Sequence, residues 1–124
     1  MAARANIVEQ PKPASPTPGE QAIDLQHLSR MTLGERSLER EVLALFDRQT
    51  EILLPRIRLA EASAAATLAH TLKGSALGIG AWRVARAAEG VEQARAVNAA
   101  AAVEALGTAI AETRAEIARL LRAH

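Results

Sequence analysis

The 124-residue chain contains no cysteine, so disulfides and thiolate metal ligands are excluded. Aromatic side chains are almost missing: Phe46 and Trp82 stand alone, and there is no tyrosine. A core must therefore be built from Leu, Val, Ile and Ala, which suits closely packed helices and argues against a β-rich fold. An excess of one charge is also lacking. Fifteen Lys and Arg face fourteen Asp and Glu for a formal charge of +1, which leaves no electrostatic case for nucleic acid or a membrane surface as the main partner. No run of eighteen apolar residues occurs, and the first residues carry no long apolar stretch, so neither a membrane span nor a signal peptide is supported. A soluble, cytoplasmic protein is the expectation.

What is present is helical pattern. The length suits one domain with a tail. Residues 1–21, with prolines at 11, 13, 16 and 18, read as a disordered Pro-rich tail, and residues 22–124 as a helical bundle domain. Asp24 can cap a short leading helix running to about Met31, ended by Gly34. From Glu35 to Ala60 the positions Leu38, Val42, Leu45, Phe46, Leu53 and Ile57 recur at helical steps as a buried face, and Pro55 predicts a kink or an end near Leu54. A helix follows from the alanine-rich run after Glu61, with Ser63 near its cap, and stops at Gly78 or Gly80. Another runs from Ala81 and fades around Val97 and Asn98; its Trp82 reads as a packing anchor, and its Gly90 marks either a close helix contact or a kink. The last spans Ala99 to Leu121, with Gly107 inside it at a propensity cost. Four substantial helices with short connections predict an all-α, antiparallel four-helix bundle carrying a short additional N-terminal helix. A monomer is expected.

The stretch Thr67 to Ala81, T-L-A-H-T-L-K-G-S-A-L-G-I-G-A, stands out. On a helix Leu68, Leu72, Ala76 and Ile79 share one face, which turns His70 to the opposite side and towards water. Ala66, Thr67, Lys73, Gly74 and Leu77 share that side at offsets of three, four and seven, so the imidazole stands on a shelf of mostly small residues. Gly74 costs a helix interior about 1 kcal/mol relative to alanine, which close approach by another molecule would explain. Leu77 has two readings. It is an apolar docking contact if the helix is regular to its end, and a core residue if the helix unwinds towards Gly78.

The run His70, Thr71, Leu72, Lys73, Gly74, Ser75, followed by Ile79, Gly80 and Ala81, resembles the signature of histidine-containing phosphotransfer (HPt) domains. Leu77 stands where that family usually has a small residue, and Gly78 where asparagine is frequent. The resemblance implies a phosphorelay protein that accepts and donates a phosphoryl group on His70. It also implies that Lys73 assists electrostatically and that Gly74 clears space for the partner, with Ala66, Thr67 and Leu77 at the docking surface. The implied partners are response-regulator receiver domains or a hybrid histidine kinase. Neutral imidazole is a competent nucleophile near neutral pH, and a lysine one turn away can reach phosphoryl oxygens. The chain itself has no Gly-rich nucleotide loop, no aspartate cluster with Mg²⁺ spacing and no kinase motif. It reads as a phosphoryl carrier without autonomous kinase activity and with no cofactor of its own, the Mg²⁺ belonging to the receiver.

A helical adaptor that binds its partner without phosphorylation is the main alternative; it would tolerate loss of His70. His27 reads as an ordinary surface or edge histidine, and His27, His70 and His124 lack metal-ligand spacing. Arg114, Arg119 and Arg122 are interleaved with Glu112 and Glu116, a mixed face rather than the basic stripe of a DNA-binding bundle.

Overall fold

The computed structural model describes residues 21–123. The tail expected over 1–21, apart from Gln21, and His124 lie outside the described residues. Five helices follow in order: α1 (Leu25–Met31), α2 (Arg36–Leu59), α3 (Ala62–Ile79), α4 (Trp82–Glu92) and α5 (Ala99–Arg122), with a 3-10 turn at Ala96–Asn98 before α5. Among the described residues there is no strand, and no helix is long and apolar enough to cross a membrane.

Helices α2 to α5 form a ring in which each packs on its two neighbours. Short connections make consecutive helices antiparallel. Cross-links between distant residues show the same directions: Arg40 at the start of α2 donates to the carbonyl of Leu121 at the end of α5 (2.8 Å). Arg114 Nε donates to Asp47 Oδ1 (2.7 Å), and Arg83 to Glu112 (2.7 Å). The core is aliphatic, built on Leu43, Phe46, Leu53 and Ile57 from α2, Leu72 and Ile79 from α3, Val84 and Val91 from α4, and Leu106, Ile110 and Ile117 from α5. Small residues sit between them, notably Ala69, Ala76, Ala85 and Ala88, which lets the backbones approach. Each large aliphatic side chain buried this way contributes about 1.5–3 kcal/mol.

Four details refine or depart from the sequence reading. Helix α2 spans the stretch expected of it and runs through Pro55 to Leu59, so of the two effects allowed to the proline the early end near Leu54 does not occur. Only one hydrogen bond is lost at the proline, and Leu53 and Ile57 are buried on either side of it, so packing holds the last turn. Leu38 and Leu45 lie outside, 39 % and 61 % exposed, while Leu43 and Thr50 take the core face. The buried series 43, 46, 50, 53, 57 steps by three and four, and Leu45 lies about 100° round the helix from Phe46. Third, α4 stops at Glu92, and its C-cap Gln93 bonds back to Glu89 (3.0 Å). Fourth, a Cβ on Gly90 would meet nothing within 4 Å, so no neighbouring helix approaches there; the close approach is at Gly107, where a Cβ would fall 2.8 Å from the Arg58 guanidinium.

Helix α1 closes one end of the bundle. The Asp24 carboxylate caps it by accepting from the His27 backbone N–H (3.0 Å), and its other oxygen accepts from Trp82 Nε1 (3.0 Å). The Asp24 backbone N–H donates to the carbonyl of Gly80 (2.9 Å). Gly80 ends α3 in the left-handed region at φ +80°, and a Cβ there would lie 3.0 Å from the Asp24 side chain, so both conformation and space demand glycine. His27 belongs to this corner: its Nε2 lies 3.2 Å from the carbonyl oxygen of Gly78, and its ring meets Trp82 edge-on at 4.9 Å between centroids.

Candidate functional site

Helix α3 is unbroken from Ala62 to Ile79, so residues 62–79 keep one helical phase. Its buried residues are Ala65, Ala69, Leu72, Ala76 and Ile79, with Leu68 partly buried at the edge of that stripe. The stripe turns the side of His70 away from the core. The His70 side chain is 69 % exposed, in the middle of the helix and held on a rigid element.

The ring is not free on both edges. Nδ1 of His70 lies 2.6 Å from Oε2 of Glu92, the last residue of α4. Nζ of Lys73 lies 3.0 Å from Oε1 of the same carboxylate. One carboxylate thus bridges the histidine and the lysine one turn on. Contact with the Lys73 ammonium, and after it with His70, holds the Glu92 carboxyl below the ordinary glutamate range against the opposing effect of partial desolvation. A carboxylate accepts hydrogen bonds only, so Nδ1 carries the proton, and in the neutral ring Nε2 bears the lone pair. Nε2 is then the ring nitrogen able to accept a bond. Lys73 makes its ion pair with the same carboxylate that holds the Nδ1 edge of the imidazole.

Around the ring the expected shelf is assembled on one helix. Ala66 is half-buried, and Thr67 and Gly74 are exposed. A Cβ added at Gly74 would meet nothing within 4 Å, so no packing inside the chain requires the glycine. Leu77 is 44 % exposed. Its inward-turned reading is ruled out, because α3 keeps its helical phase to Ile79 and unwinds only at Gly80. Leu77 and Lys73 form one wall of a shallow groove, and Trp82, Ala85, Arg86 and Glu89 of α4 form the other. Trp82 is half-buried and pinned by Asp24 and His27, consistent with its reading as an anchor of packing.

Glu92 has no local signal in the sequence, since it lies twenty-two positions from His70. A hairpin count was the available clue. Reflecting an antiparallel α3–α4 pair about Ala81 sets position 92 opposite position 70 and position 89 opposite position 73. No group of three or more His, Asp or Glu that could hold a metal exists among the described residues. Arg114 and Arg119 are engaged with Asp47 and Glu116, so α5 presents the mixed face expected of it.

The family model described as "Hpt domain" matches residues 36–123, the four helices α2 to α5 and not α1. No curated protein and no solved structure is significantly similar to the chain. The match spans well over half of the sequence, and the chain belongs to the Hpt domain family.

Proposed function

We propose, with membership of the Hpt family as the premise, that His70 accepts a phosphoryl group from the aspartyl phosphate of a receiver domain and returns it to one. Hpt domains are phosphotransfer modules of two-component systems, and the exposed imidazole bridged through Glu92 to Lys73 supports assigning the acceptor here. The Nε2 lone pair attacks phosphorus, a P–N bond forms as the P–O bond to the aspartate breaks, and the carboxylate leaves with its electron pair. The proton on Nδ1 stays where it is. Glu92 accepts the hydrogen bond from Nδ1–H throughout, and its negative charge offsets the positive charge that the ring gains. Lys73, one turn on from His70, leaves the Glu92 carboxylate for the phosphoryl oxygens in this reading, where a mobile ammonium stabilises developing charge.

Ala66, Thr67, Gly74 and Leu77 form the docking surface in this reading, the small residues clearing space and Leu77 adding apolar contact. The receiver supplies the aspartate and the Mg²⁺, and a receiver or a hybrid kinase is the partner. The protein works in the cytoplasm with those partners, as a carrier with no kinase activity of its own.

The observation that carries the proposal is an exposed histidine on a rigid helix with its Nδ1 edge occupied by a carboxylate and its Nε2 edge left to a partner. The test is to incubate the chain with receivers charged by acetyl phosphate and look for acid-labile, base-stable phosphate. The native chain should become labelled and His70→Gln should not. Labelling that survives in the variant moves the acceptor elsewhere, and a partner response that is intact without any labelling favours a phosphorylation-independent adaptor.

A further inference from the structure

Helix α2 carries an apolar series that the core does not use. Leu38, Leu45, Ile52 and Leu59 recur at seven-residue intervals and are 39, 61, 48 and 88 % exposed. A strict seven-residue repeat drifts only about 20° per step, so the four form one stripe, about 32 Å long at 1.5 Å per residue. Its centre lies about 120° round the helix from the buried face. It is a narrow stripe of one apolar residue per heptad, separate from the face that the bundle core uses.

The charges beside it select what covers it. Residues three positions after stripe residues lie on one flank, with Glu41 and Arg48 among them; residues four after or three before lie on the other, with Glu35 and Arg56 among them. All four are exposed, and none forms an ion pair with another described residue. A two-fold axis perpendicular to two antiparallel helices sets like flank against like flank. With the axis at Leu45, Leu45 meets its own copy and Leu38 meets Ile52. Glu41 then meets Arg48 on one flank and Glu35 meets Arg56 on the other, each twice. A register centred midway between Leu45 and Ile52 would instead oppose Arg48 to itself. We propose that the α2 stripe is a self-association surface on which two copies of this chain pair antiparallel about Leu45.

Thr71, the residue after His70, lines a groove with Leu45 and Ile52. The pairing face therefore borders the surface around His70, and self-association competes with a partner approaching from that side. A single pair of helices is a small interface, so the dimer is weak and forms at high concentration.

The test is sedimentation of the full chain from about 10 µM to about 1 mM. The expected result is a concentration-dependent rise from the 13.1 kDa chain mass towards twice that value. Leu45→Glu, at an exposed position, should remain monomeric with an unchanged melting temperature. Arg48→Glu should weaken pairing through repulsion with Glu41, and the double exchange Glu41→Arg with Arg48→Glu should restore it. With no native cysteine in the background, Leu45→Cys should oxidise to a dimer by itself. Leu38→Cys should cross-link with Ile52→Cys only when the two variants are mixed. A monomer at every concentration overturns the proposal, and if Leu45→Glu then weakens receiver binding, the stripe belongs to the receiver. Self-cross-linking of Leu38→Cys overturns it as well, because it requires a parallel pair. Phosphorylation of His70 is read separately, so either idea can fail while the other stands.

Discussion

Glu92 Oε2 accepts a hydrogen bond from Nδ1 of His70 at 2.6 Å, linking the end of α4 to the middle of α3 across the face where the imidazole is exposed. That contact occupies the Nδ1 edge of the ring. It also couples the histidine to Lys73 through the other oxygen, 3.0 Å from Nζ.

Glu92→Ala should leave the bundle folded and free the ring to adopt either tautomer. Transfer from a charged receiver should slow on the order of 10-fold, about 1.4 kcal/mol in the barrier. Nitrogen NMR of the imidazole should show the Nδ1–H form dominant in the native chain and mixed in the variant. An unchanged tautomer ratio would separate Glu92 from the chemistry.

The Glu92 carboxyl is held below its ordinary value of 4.5 by Lys73 and His70. A depressed folded value means that its stabilising contribution is complete above the unfolded value and is lost as pH falls through the folded one. Thermal melts taken downward from pH 5 should therefore lose less stability in Glu92→Gln than in the native chain. Parallel curves would contradict this.

Gly74→Ala should be neutral or stabilising by up to about 1 kcal/mol, because the position is helical and a Cβ meets open space. Gly74→Gln should fold equally well and slow receiver transfer. The comparison of melting temperature with transfer rate checks both, and equal rates in the Gln variant would remove Gly74 from the docking surface.

Leu77→Ala should weaken receiver affinity by about 1–2 kcal/mol while leaving the melting temperature nearly unchanged, since the side chain is 44 % exposed and fills no core site. Calorimetry against a receiver, paired with a thermal melt, distinguishes this from a packing role. A large fall in melting temperature with normal affinity would show that Leu77 is structural.

Asp24→Ala removes the cap of α1 and the acceptor for Trp82 together. A loss of about 1–2 kcal/mol is expected, with amide exchange rising first in residues 25–31. Since its bond from the His27 N–H, aided by Trp82, holds the Asp24 carboxyl below 3.8, the native chain should lose this contribution as pH falls below that value.

The bundle was legible because its signals are local. Apolar steps of three and four, alanine-rich runs, Asp24 before α1 and Gly80 after α3 each act within a few residues, and the structure places helix boundaries close to them. His70, Lys73, Gly74 and Leu77 were also readable as one face, since helical phase alone decides which side chains of a continuous helix share a direction.

Three features needed the tertiary fold. Pro55 sits in an intact helix because burial of Leu53 and Ile57 outweighs one missing hydrogen bond, a balance that propensity does not contain. On α2 the pattern offered two apolar series, and the positions of α3 and α5 decided that Leu43 and Phe46 face inward while Leu38 and Leu45 remain outside. Glu92 joins His70 through the length and stop of α4 and the antiparallel register set at Gly80 and Ala81. By itself the sequence determined one helix, one exposed histidine and the small shelf around it, because these depend on periodicity within a single segment. Only packing between segments decided which carboxylate holds the imidazole, because that distance depends on the register of two helices and on no residue near His70 in the chain.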